Sequence, residues 1–185
     1  AIGAALAAQH LYFRQKRSSE TLKNGVFDSC LGPGFGEAEI ERAIENGDFQ
    51  YYYFSNENAL LTEIADLLTQ QKIIALFRGR MEFEMESNGN RSIIALAGYE
   101  ETRKRINTSV KGRVEQTPLK VVSASDNCKN QFLRRLLVKL NENAHENILW
   151  QSNMGSYGEP LVCKPEEALR FFKNADIDYL VMDAY

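Results

Sequence analysis

Histidine is nearly absent from this chain: its 185 residues include two, His10 and His145. One falls in an Ala-rich helical stretch and the other in a polar turn, so a histidine metal cage or a Ser-His-Asp arrangement has nothing to build on. Cysteine is scarce too. Cys30, Cys128 and Cys163 are odd in number, far apart and without CxxC spacing, which speaks against a disulfide framework and a thiolate zinc site. Reduced thiols in a cytoplasmic protein are the expectation. An excess of positive charge is also missing. Twenty-two basic residues against 25 acidic ones leave a formal charge of −3, so no global field draws nucleic acid or an anionic membrane, and any anion site has to be local. The run Ala1–Ala8 is apolar, but no basic region precedes it and it passes quickly into His10, Arg14, Lys16 and Arg17. Neither a signal peptide nor a membrane span fits that pattern.

What is present is an ordinary globular composition, 44% hydrophobic, 25% charged and 10% aromatic, in a length that suits one domain with one core. The period of the apolar residues switches repeatedly along the chain. Residues 1 to about 17 read as a helix, and 17–35, with Leu31-Gly32-Pro33-Gly34 as punctuation, as a connector. Gly36 to Asn46 reads as a short helix stopped by Gly47, and Tyr51–Phe54 as a strand or extended edge. Glu57 to Gln70 places Leu60, Leu61, Ile64, Leu67 and Leu68 on one helical stripe, followed by a strand from Lys72 to Phe77. Further strands are expected at Ser92–Ala97, Leu119–Val122, Asn147–Gln151 and Tyr179–Met182, with helices at Glu100–Ser109 (solvated), Asn130–Asn143 and from Pro165. Alternation of this kind implies an α/β fold, a mixed sheet packed with helices.

The densest polar cluster, Arg78 to Ser92, follows the strand Lys72–Phe77 directly. Strand ends are where α/β folds place ligands. Arg78, Arg80 and Arg91 could grip phosphate or carboxylate through forked hydrogen bonds, while Gly79 and Gly89 let main-chain N–H groups approach an anion; a solvated hairpin tip is the competing reading. Glu82, Glu84 and Glu86 alternate, so in an extended strand they would share a face, either solvated or able to hold a hard cation such as magnesium. Lys111-Gly112-Arg113 forms another basic spot. Gln151 to Gly155 offers small hydroxyl and amide groups at a strand exit.

Three segments resemble the C-terminal domain of the O-carbamoyltransferases that decorate aminoglycosides and nodulation factors. Gly79-Arg80-Met81-Glu82-Phe83 with Gly89-Asn90-Arg91-Ser92-Ile93 is similar to that family's G-R-M-E-F-G-P-R-A-L-G-N-R-S-I. Gly158 to Leu169 is similar to G-E-P-I-V-x-x-P-x-D-A-L, and Ala1–Leu6 with Leu31-Gly32-Pro33 is similar to the junction between the family's two domains. The resemblance implies a YrdC-like twisted mixed sheet over 36–185, a connector over 18–35, and in 1–17 the last helix of an actin-like N-terminal domain, which would also account for the missing initiator Met. It implies carbamoyl phosphate and ATP as ligands, with magnesium on the nucleotide, joined into carbamoyl adenylate for transfer to a hydroxyl acceptor. The expected partner is the protein's own N-terminal domain, with no nucleic acid and no membrane. Arg80, Asn90, Arg91, Ser92, Lys111 and Arg113 would hold phosphate groups, and Ser152 or Asn153 the carbamoyl group. The chain departs from the family at Glu84-Met85-Glu86-Ser87-Asn88, where a Gly-Pro turn and an arginine are replaced, and keeps only Lys111 and Arg113 of K-x-R-E-x-x-R-P. Those departures leave a second expectation standing, a catalytically silent YrdC-like binding or structural domain.

Overall fold

A computed structural model describes residues 2–16, 30–83, 88–110, 119–123, 130–156 and 158–185. Helix α1 (Ile2–Ala7) runs into a wider π-helical turn, Ala8–Tyr12, and exposes Leu6, Leu11, Tyr12 and Phe13. It ends short of the expected Arg17, with Arg14 in left-handed backbone (φ 54°). Helix α2 (Glu37–Asn46) buries Ile40, Ala43 and Ile44, and its opening N–H of Gly36 donates to Glu39 at 2.9 Å. Gly47 stops this helix without the left-handed turn usual for a terminal glycine. That conformation belongs to Asp48 (φ 55°), because the ring of Phe49 folds back onto Gly47 and leaves no room for a Cβ.

Tyr51 to Phe54 is extended but unpaired as a strand, held by the Phe54 N–H donating to the Ala184 carbonyl at 2.9 Å. Helix α3 (Glu57–Thr69) is capped by Asn56 and buries the predicted leucine stripe. Strand β1 is Ile74–Phe77 and β2 is Arg91–Leu96, both buried along their whole length. The strand begins at Ile74 rather than Lys72 because the N–H of Ile73 is taken by the Asp178 carboxylate at 2.8 Å. Helix α4 (Glu100–Arg105) continues as a π-helical turn, Ile106–Val110. It is not the solvated helix expected: Thr102, Ile106, Asn107 and Val110 are buried, a stripe of four-residue spacing that covers the core. Strand β3 (Lys120–Ser123), helix α5 (Gln131–Ala144), strand β4 (Ile148–Asn153), helix α6 (Pro165–Asn174, with Pro at its start) and strand β5 (Tyr179–Met182) complete the described residues.

The five strands form one sheet in the order β3-β4-β2-β1-β5, parallel between β1 and β5 and antiparallel elsewhere. This is the expected α/β fold with a mixed sheet. Alternation along the strands feeds two cores. Ile74, Leu76, Ile94 and Leu96 face α3 and α5, whereas Ala75, Phe77, Ile93 and Ala95 face α2 and α6. Leu136, Leu137 and Leu140 on α5 are fully buried, each stabilising by roughly 1.5–3 kcal/mol relative to exposure. The pairing directions bring the carboxyl ends of β1, β4 and β5 to the same edge as the amino ends of β2 and β3.

Candidate site at the carboxyl end of the sheet

That edge collects most of the polar residues singled out from the sequence. Ser92 pairs in register with Asn153 and Ile93 with Ser152, so the start of β2 lies directly beside the end of β4. The Gln151 amide donates to the Ser92 hydroxyl at 2.8 Å, both buried. Ser152 and Asn153 are half-buried, on opposite faces of the strand, and the Ser152 hydroxyl makes no side-chain hydrogen bond among the described residues. Lys120, opening β3, reaches the Asn88 side chain at 3.5 Å. Lys111 and Arg113, as well as Glu84 and Glu86, lie outside the described residues.

The arginines do something different from gripping a phosphate in the open. Arg91 is fully buried and lies flat on the Phe77 ring, 3.7 Å from its centroid. One terminal nitrogen donates to the carbonyls of Arg78 (2.7 Å) and Asn90 (2.9 Å), the other to that of Gly79 (3.3 Å), while its Nε is buried without a partner among the described residues. Burial pushes its pKa down from the usual arginine value, opposed by the nearby carboxylates of Glu82 and Asp183. Arg80 is exposed, yet its Nε donates to the Gly32 carbonyl at 2.9 Å and a terminal nitrogen to that of Leu31 at 2.6 Å. Gly32 and Met81 exchange their own contact, N–H to carbonyl at 2.9 Å, with the Met81 N–H donating to Pro33 at 2.9 Å. A Cβ on Gly32 would sit 2.8 Å from Met81, so glycine there permits the connector to dock on the loop.

Glu82 departs from the solvated strand face expected of it. It is buried, in a stretch that is not a strand, and its Oε1 accepts the N–H groups of Asn88 (3.1 Å), Asn90 (2.5 Å) and Arg91 (3.4 Å). The main-chain N–H groups around Gly89 do hold an anion, and it is the protein's own carboxylate. Gly89 sits at φ +114°, where an added Cβ would meet Leu133 at 2.6 Å and Asn130 at 2.7 Å. Asn90 ties the assembly together. Its amide donates to the Arg80 carbonyl (2.7 Å) and toward the Cys30 sulfur (3.3 Å), and its carbonyl accepts from Asn130 (2.9 Å), which itself caps α5 through Leu133.

Sequence reasoning also missed the neighbouring support. Arg78 lies over the Phe132 ring at 3.8 Å and donates to the Asp183 carbonyl (2.7 Å) and to Glu57 (3.0 Å), which also pairs with Arg135. The Asp183 carboxylate accepts the Gly79 N–H at 3.0 Å. These partners come from β5 and two helices more than 20 residues away, and no local spacing announces them. Among the described residues no three His, Cys, Asp or Glu side chains are grouped so as to hold a metal ion, and no helix is long and apolar enough to cross a membrane.

Residues 65–133, under half of the chain, match a protein-family model described as "Carbamoyltransferase C-terminus". An uncharacterized protein of Synechocystis is 24% identical over 252 aligned positions that take in all of this chain and 41% of the relative. Two uncharacterized proteins of Methanocaldococcus jannaschii are 22% and 23% identical, covering 84% and 83% of this chain and 43% and 33% of their own lengths. The chain thus spans about two fifths or less of the curated relatives it matches.

Proposed function

We propose that this chain, whose residues 65–133 match a carbamoyltransferase C-terminus, binds carbamoyl phosphate and ATP at the carboxyl end of its sheet and couples them into carbamoyl adenylate for a hydroxyl acceptor. The observation that carries the reading is the register of β2 against β4, which brings Asn90, Arg91 and Ser92 beside Ser152 and Asn153 at a sheet end of the kind that binds ligands in α/β folds. On this reading the work is divided among them. Arg80, Asn90 and Arg91 build and charge the loop, with Glu82 fixing its main chain. Ser152 or Asn153 supplies hydrogen bonds to the carbamoyl group, and Lys120, Lys111 and Arg113 supply charge for the phosphates. Magnesium would arrive on the nucleotide phosphates, since Glu82 is committed to main-chain N–H groups and the described residues form no carboxylate cage. It would neutralise phosphate charge there.

These residues hold the carbamate oxygen in line with the α-phosphorus. Water first hydrolyses carbamoyl phosphate to carbamate and inorganic phosphate, which leaves; the new bond is then carbamate oxygen to α-phosphorus, the bond broken is α-phosphorus to the bridging oxygen, and pyrophosphate leaves. Positioning and fixed electrostatics account for the acceleration. The exposed apolar face of α1 would pack on an N-terminal domain of the longer protein. The work would take place in the cytoplasm.

One observation favours a second reading, a silent domain: the N–H groups of Arg80 and Arg91 already meet main-chain carbonyls, and Glu82 fills the anion-binding turn. The test is carbamoyl-phosphate-dependent pyrophosphate release by the longer protein. The first reading expects release that falls at least tenfold with Ser152→Ala and Asn153→Ala together. Absence of release, or release indifferent to that pair, sinks it in favour of the second.

A further inference from the structure

The tyrosine run Tyr51-Tyr52-Tyr53 has no part in the chemistry above, yet its last residue, Tyr53, lines a cavity of about 310 Å³ beyond the ends of β1 and β5. Tyr53 and Tyr185 line it, their ring centroids 5.2 Å apart at 57°, and Tyr51 meets Tyr185 from the other side at 5.6 Å and 67°. Tyr53 is 54% exposed, so its ring is open to a ligand, whereas Tyr185, in contact with it, is buried. The extended backbone explains the arrangement: residues two apart point the same way, and the Phe54 contact to Ala184 fixes the segment over Tyr185.

The charge around these rings is negative. Glu37 lines the cavity and accepts a hydrogen bond from the Tyr53 hydroxyl, and Glu41 acts on both Tyr53 and Tyr185 from the next turn of α2. Among the described residues neither glutamate has a cationic partner. The hydrogen bond and the charge of Glu37 raise the Tyr53 pKa, so the hydroxyl stays protonated and keeps donating at neutral pH. Donation to a carboxylate enriches the ring's π face, which strengthens its hold on a cation. Arg78 also lines the cavity, but its charge is spent on Glu57, the Asp183 carbonyl and the Phe132 ring.

We propose that this cavity is a binding site for a small organic ammonium ion, held against the exposed face of Tyr53 and balanced by Glu37. The cavity shares Arg78 and Asp183 with the support of the loop described above, but not Ser152 or Asn153.

The test is titration of the chain with tetramethylammonium, followed by the aromatic proton resonances of its tyrosines in NMR, with the uncharged 3,3-dimethylbutanol as the comparison. Saturable shifts at Tyr53 and Tyr185 are expected with the cation at millimolar concentrations and not with the alcohol. Glu37→Gln should weaken binding about threefold to fivefold, and Tyr53→Leu should abolish it. Tyr53→Phe keeps the ring and should retain binding at a reduced level, which separates ring loss from misfolding; unchanged resonances of the core methyl groups serve as the fold control. Equal response to the alcohol would make the cavity a plain apolar cleft. Absence of shifts up to tens of millimolar, or shifts indifferent to Glu37→Gln, would overturn the assignment.

Discussion

Glu82→Ala is the perturbation that most directly challenges the account of the loop. The carboxylate is 2% exposed and accepts from the N–H groups of Asn88 and Asn90 at 3.1 and 2.5 Å, with a weaker contact from Arg91 at 3.4 Å. Removing it leaves two half-buried N–H groups without this acceptor, at about 1–2 kcal/mol each. It also takes away the carboxylate that does most to hold up the charge of buried Arg91. Together these cost about 3–5 kcal/mol, a large share of the roughly 5–15 kcal/mol by which domains are stable. Urea unfolding followed by far-UV circular dichroism measures it, with exposed Glu166→Ala as the matched control, expected within about 0.5 kcal/mol. A loss under about 1 kcal/mol at Glu82 would refute the buried anchor and restore a solvated acidic face.

Arg91→Lys keeps the charge but loses the forked contacts to three carbonyls and the flat stacking on Phe77. A drop of about 2–4 kcal/mol in the same unfolding experiment is expected. Gly89→Ala forces a Cβ into Leu133 and Asn130 at φ +114° and should cost about 2–3 kcal/mol or more, read as a lowered Tm. Two carboxylates set the acid limb of stability. The N–H groups of Cys163 and Lys164 hold Glu167 below its ordinary 4.5, and the Arg105 guanidinium holds Asp176 below its ordinary 3.8. Their contribution is whole above those ordinary values and is lost as pH falls through the lower folded ones, so the urea midpoint should decline between about pH 5 and pH 2. Asp176→Asn should flatten part of that decline.

The regular elements were legible because each rests on a local pattern. The stripes of α3, α5 and α6 and the apolar runs of β1 and β2 survive almost residue for residue, since amphipathic period and capping residues such as Asn130 and Pro165 act within one or two turns. The buried side of α4 escaped notice because its stripe crosses from α-helix into a π-helical turn, where the spacing changes. Within the loop, charge was legible and its use was not. Arg80 read as a grip for phosphate and Glu82 as part of a solvated or cation-holding face, yet the partners they have here are main-chain atoms, and those of Arg80 lie about 50 residues away in the connector. Main-chain partners leave no signature in composition. Asp183 went unseen for the same reason, its contact with Gly79 existing only because β5 lies parallel to β1.

Titration calorimetry with carbamoyl phosphate, alone and with a non-hydrolysable ATP analogue and magnesium, tests the central claim most directly. The account expects saturable heat in the micromolar to low-millimolar range that weakens at least tenfold when Ser152 and Asn153 are both changed to alanine, while the unfolding midpoint of that double variant stays close to the parent's. Silence from this chain and from the longer protein alike would contradict it, leaving the sheet edge as framework without a ligand.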